Sequence, residues 1–245
     1  MNDTQSSPQP KDSDISNKKE KPVFKPITRS TTLVISGAVL FISAAVLLTV
    51  SRTVNYYVSV NWVFSWLFAA FIALSLIPIA IGFEQITYMY FADHISRDGN
   101  QMRLYLLIFA IGELLAPLVY FSVVFGSLAL VLSLFTRALG FRKLDKSLIR
   151  IRNVTGIRTG SIFYQIYGFY PLITSILASI ANAAEDESML LYIFIFEGVV
   201  QALLMIIVGS KLLIDMIMLR RYVINKGIEP KRIKLYGTIK KGINY

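Results

Sequence analysis

Apolar positions along this chain gather into long blocks separated by short polar stretches. Five such blocks fall at about 32–50, 58–83, 104–135, 161–183 and 189–218, each long enough to approach or exceed the ~20 residues that cross a bilayer. Backbone inside hydrocarbon finds no water, so each block is predicted to be an α-helix with its hydrogen bonds made internally. The first, ~19 residues, is about 29 Å long and matches the hydrocarbon core. The third, ~32 residues, is too long for one perpendicular crossing. Two full crossings would need ~17 apolar residues each plus a turn. A single long span bent at Pro117, where the ring and the missing N–H disturb the helix, is therefore expected. The predicted fold class is an all-α polytopic transmembrane helix bundle of about five spans.

The flanking segments differ in kind. Residues 1–31 are polar and basic, with Pro8, Pro10, Pro22 and Pro26 and few large apolar side chains, and are expected to be disordered. No short apolar core stands near the start as a signal peptide requires, so the first span reads as a retained anchor. Tyr56, Tyr57 and Trp62, then Tyr88, Tyr90 and Phe91, cluster about the second block, as aromatic rings do at headgroup level. Residues 84–103 read as a polar loop with a turn at Asp98-Gly99-Asn100. The acidic Glu185-Asp186-Glu187-Ser188 is short enough to force an antiparallel hairpin between the last two blocks. Residues 219–245 form a basic C-terminal tail.

Composition sharpens this picture. Hydrophobic residues make up 55% of the chain and charged residues only 16%, against about 25% in an ordinary soluble domain. A soluble globular class is thereby excluded. The chain has no cysteine, and with it no disulfide, thiolate nucleophile or Cys-ligated metal. The net charge of +10 reads as membrane orientation, since Lys and Arg resist translocation. Nucleic-acid binding would call for aromatic platforms among the basic residues of a soluble module, and the sequence has none. With five spans, sixteen Lys and Arg fall on the side of the loop 136–160 and the C-terminus and eight on the other. That places the loop and C-terminus in the cytoplasm and the N-terminus outside. The cations Lys18, Lys19, Lys21, Lys25 and Arg29 pull against this arrangement. A double crossing by the third block would relieve the conflict and put both tails in the cytoplasm.

The basic loop is itself amphipathic. Phe141, Leu144, Leu148 and Ile151 share one face, opposite Lys143, Lys146 and Arg150. Two expectations stand side by side: a helix lying flat on the bilayer with these three cations on anionic headgroups, or a solvated linker that enforces topology. Asp145 and Arg152 interrupt the two faces.

Candidate chemistry lies in the later blocks. Glu197, Gln201, Lys211 and Asp215 fall within roughly 80° of one another around the fifth helix. Ionisable groups at such depth usually face a bundle interior or an aqueous path. Lys211 and Asp215 form an i,i+4 pair, whereas Glu197 has no opposite charge nearby in its own helix. Gly198, Ala202 and Gly209 make a narrow small-residue surface for close helix packing. Glu113 shares a face with Pro117 and Tyr120. Gly168, Ser175 and Ser179 form a second small-residue surface, flanked by Gln165 and Asn182 as hydrogen-bonding groups. The third, fourth and fifth spans are expected to pack around Glu113, Gln165 and Glu197.

Two functions compete for this cluster. In one, the carboxyls hold helices together within the chain or against a membrane protein partner or second copy, and the protein is a non-catalytic accessory or scaffold subunit. In the other, Glu113 and Glu197 line a path for protons, cations or a small polar substrate in a small transporter or channel component. Enzymatic activity is not expected. His94 is the only histidine, nucleophile-elbow, Walker A and dinucleotide-binding motifs are missing, and no metal or cofactor is implied. The partners called for are the lipid bilayer with its anionic headgroups and another membrane protein.

Overall fold

The computed structural model describes residues 25–57, 61–185 and 187–231, and these form a helical bundle. The expectations for residues 1–24 and for the tail after Lys231 lie outside the described residues. The elements are α1 (Lys25–Tyr57), α2 (Asn61–Tyr90), α3 (Asp93–Leu115), a 3-10 turn (Ala116–Tyr120), α4 (Val123–Thr155), α5 (Ile162–Ala183) and α6 (Glu187–Asn225). All six α-helices are long and apolar enough to cross a membrane.

Five expected spans thus become six, and the third block is where they differ. The single bent span at Pro117 is replaced by a hairpin. Leu118 O accepts from the N–H groups of both Phe121 and Ser122, Ser122 turns extended, and α4 starts at Val123. Gly126 is buried directly against the Val119 backbone, leaving no room for a side chain as α4 folds back. Counting apolar residues failed here because each helix completes its length with polar turns. Residues 93–103, expected as a loop, are the first turns of α3, and residues 136–155, expected as a surface helix or linker, are the last turns of α4. Those turns satisfy one another. Arg150 and Lys143 both pair with the buried Asp98 of α3, Lys143 also donates to Gln101 at 2.6 Å, and Arg103 pairs with the buried Glu84 of α2 at 2.9 Å.

Packing follows chain order, each helix on the next, and α6 closes the ring against α1. At the centre Phe41 of α1 meets Phe141 of α4 and Tyr167 of α5, with ring centroids 6.1 and 5.2 Å away. In lipid no hydrophobic force drives helices together, so closeness of approach decides their contact. Gly37 lies under the Ser75 carbonyl of α2, and Gly209 sits on Ala38 and Ile42 of α1. Gly168 rests on Ala138 and Phe141 of α4. Gly198 and Ala202 are buried too. Ser179 instead is exposed and bonds back to Ser175 O within its own helix, at 2.8 Å. Ser175 is half-buried and Ser179 faces outward.

The start of α1, the end of α2 and the end of α6 meet at one end of the bundle. Ser30 Oγ donates to Gln85 at 2.8 Å and Lys231 N to Met89 O at 2.8 Å. Both ends of the described chain therefore lie at the same end of the bundle, whereas five helices would have put them at opposite ends. Among the described Lys and Arg, Arg52 alone lies toward the other end and Arg137 lies at mid-helix.

A Cβ added at Gly37 would stand 2.6 Å from the Ser75 carbonyl oxygen, whereas one at Gly168 would stand 3.2 Å from its nearest neighbour. Gly37→Ala is accordingly expected to destabilise the protein by about 1–3 kcal/mol and Gly168→Ala by less. Thermal unfolding of both variants in one detergent checks the order; equal shifts would show that Gly37 does not set the α1–α2 distance.

Candidate functional site

The densest polar arrangement lies where α4, α5 and α6 meet near the basic end. α4 stops at Gly156, whose positive φ of 75° suits glycine and whose N–H bonds Arg152 O at 2.8 Å. The chain then runs through residues 157–161 into α5, capped by the Ser161 side chain, which accepts from Phe163 N at 3.3 Å. Two fully buried carboxylates grip this connection. Asp145 of α4 accepts from Ser161 N at 3.0 Å and from Gln165 Nε2 at 2.5 Å. Asp215 of α6 accepts from Gly160 N at 3.1 Å and from the Tyr164 hydroxyl at 3.0 Å. Its other oxygen takes Lys211, whose ammonium also reaches Arg158 O at 3.4 Å. Thr159 Oγ1 closes the loop onto Leu148 O at 2.8 Å. Both carboxylates stand at the N-terminus of α5, where unpaired N–H groups and the helix dipole favour negative charge.

A second arrangement sits deeper, between α3, α4 and α5. Arg137 is 3% exposed, and its guanidinium carbon lies 3.7 Å from the Tyr167 ring centroid. Its Nε donates to the Tyr167 carbonyl at 3.1 Å. That carbonyl is free because the residue four positions on is Pro171, which has no N–H to return the helical bond. Glu113 of α3 accepts from Ser133 Oγ at 2.5 Å and lies within electrostatic reach of Arg137. The close approach of Gly112 to the Ser133 backbone brings α3 near enough for the Ser133–Glu113 bond.

Glu197 of α6 forms a third contact, accepting from Thr174 Oγ1 of α5 at 3.3 Å, with Tyr170 close enough to interact with its charge. Gln201 is buried one turn further along α6. Glu113, Gln165 and Glu197 thus bind different partners at different places, and the single polar centre expected around them resolves into three helix–helix contacts. The i,i+4 pair Lys211–Asp215 forms as expected. Lys143 and Arg150, expected on headgroups, pair with Asp98 instead, because α4 packs against α3 along that face. Lys146 is exposed. His94 is exposed, and its backbone carbonyl accepts from Arg150 at 3.2 Å. Among the described residues no three His, Cys, Asp or Glu side chains gather as a metal site would require.

Arg137 has no role assigned from the sequence, where Asp98 enters only as part of a turn and Asp145 only as a break in an amphipathic face. Asp145 carried a signal: a lone carboxylate on the apolar face of Phe141, Leu144 and Leu148 needs buried partners. Arg137 carried another, since the proline at 171 frees a carbonyl one turn earlier that wants a donor.

Comparison with protein-family models, curated proteins and solved structures finds no match. The arrangement must therefore be interpreted from its own chemistry.

Arg137 acts on Glu113 only through space, and its removal also leaves the buried Tyr167 carbonyl without its donor, a loss of about 1–3 kcal/mol. Arg137→Leu should therefore destabilise the protein, and Arg137→Leu combined with Glu113→Leu should cost less than the sum of the two single changes. A double-mutant cycle read by thermal unfolding measures this coupling; additive effects would show that Glu113 and Arg137 act independently.

Proposed function

We propose that this polytopic membrane protein is a non-catalytic accessory or scaffold subunit of a membrane assembly, with both chain ends in the cytoplasm. The observation that carries this reading is how the polar groups of the apolar helices are used. Asp145 and Asp215 hold the α4–α5 connection, Glu113 joins α3 to α4, and Glu197 joins α6 to α5. These bonds fix helices in place. A transport path would instead keep carboxylates free to exchange partners with a passing ion. The outward side of α5 supports an assembly role, because Ser179 and Asn182 are exposed among Ile176 and Ile180, and small polar residues on such a surface suit a neighbouring helix.

Orientation follows from charge. Cations concentrate at the end where α1 begins and α6 finishes, while the connector between α5 and α6 carries Glu185, Asp186 and Glu187. Retention of Lys and Arg in the cytoplasm then puts both tails inside.

Extraction in a mild detergent followed by mass measurement is expected to yield a stable complex with another membrane protein. Recovery of the chain alone, together with ion flux in vesicles that Glu197→Gln abolishes without changing assembly, would instead establish the small-transporter alternative. The cysteine-free sequence makes topology directly measurable. Ser188→Cys is expected to react with a membrane-impermeant thiol reagent on intact cells, and Ser16→Cys only after permeabilisation. Labelling of Ser16→Cys from outside would overturn the orientation.

A further inference from the structure

α4 sorts its cations by depth and by direction. Arg137 turns into the bundle and binds Tyr167, while Lys143 and Arg150 turn to α3 and bind Asp98. Arg142 and Lys146 do neither. They are exposed one turn apart and have no ion-pair partner among the described residues. Below them on the same stripe, at i,i+3 and i,i+4 steps, lie Leu128, Leu132, Phe135 and Leu139, with relative exposures of 63%, 47%, 57% and 37%. One continuous outward strip is thus apolar for its first four turns and cationic at its end.

Helical rise places this change at a definite height. From Val123, where α4 leaves the hairpin, to Arg142 is about 29 Å along the axis, close to the ~30 Å of a hydrocarbon core. Arg142 therefore stands at the headgroup boundary and Lys146 about 6 Å beyond it. Arg137 lies about 7.5 Å inside the boundary, which is why it needs partners within the protein. A partner for the strip must carry negative charge at one height and hydrocarbon immediately below it. An anionic phospholipid has that structure, and an acidic soluble peptide does not.

We propose that this strip binds an anionic phospholipid in the cytoplasmic leaflet, its headgroup phosphate held by Arg142 and Lys146 and an acyl chain lying on Leu132, Phe135 and Leu139. The expectation of headgroup contact for this segment is thereby moved from Lys143 and Arg150, which are spent on Asp98, to the cations facing outward.

The test uses the full chain in detergent micelles, titrated with phosphatidylglycerol or phosphatidylcholine of identical acyl chains and read by native mass spectrometry. Wild type is expected to retain phosphatidylglycerol in preference to phosphatidylcholine. Arg142→Gln with Lys146→Gln should erase that preference, about fivefold for each cation removed. The same exchange at Arg221, which is exposed on α6, should leave it intact. An unchanged melting temperature in the double variant excludes misfolding as the cause. Equal retention of the two lipids by wild type would overturn the proposal, as would a preference that survives the double exchange. Displacement of the bound lipid by soluble glycerol phosphate at equal concentration would also overturn it, because the site would then recognise a free anion.

Discussion

Hydrocarbon offers no hydrogen bonds, and this one property organises the structure. A polar group placed among apolar helices is costly to leave unbonded, and where its partner stands on another helix the pair fixes which helices touch and where. Asp145 reaches the start of α5, Asp98 gathers two cations from α4, and Glu84 takes Arg103 across the α2–α3 contact. Apolar packing by itself would leave these helices free to slide, since lipid tails are as greasy as leucine. The glycines allow close approach, and the buried charges choose the register.

Proline plays an unusual part in that choice. In α5, Pro171 removes one rung of the helical ladder and exposes the Tyr167 carbonyl inside the bundle. Arg137 fills the vacancy with Nε and lays its guanidinium on the Tyr167 ring. What would be a flaw in an isolated helix becomes the point where α4 is tied to α5. Pro117 acts at the α3–α4 connection, where it stands near the start of the 3-10 turn that reverses the chain.

Much of this fold was legible in the residues. Long apolar blocks set the class, the acidic connector foretold the α5–α6 hairpin, and Lys211–Asp215, Gly168 and Gly209 all occupy helix contacts. The sixth span was hidden because α3 and α4 are each only partly apolar. Their polar turns resemble loops until it is seen that the charges of one answer those of the other, a pairing across more than 40 residues that no local window detects. The candidate site was harder to see for the same reason. Glu113, Gln165 and Glu197 were rightly singled out as needing partners, but the partners (Ser133, Asp145 and Thr174) come from different helices, and only tertiary geometry separates them into three places. Asp145 was treated as a blemish on an amphipathic face, although a carboxylate there has to be bonded if the face is buried.

The two grips on the α4–α5 connection come from opposite directions along the chain. Asp145 precedes the segment it holds, and Asp215 is made some 50 residues after it. The most apolar 18-residue stretch of α5 has a mean hydropathy of 1.3, against 2.3 for those of α1 and α2, so no stretch of α5 has as strong a claim on the lipid phase. During synthesis its leading end can be received by α4 as soon as it emerges, while Tyr164 and Gly160 wait for α6 to arrive. The start of α5 is thus held by partners made before it and after it, so the Asp215 grip closes only once α6 is present.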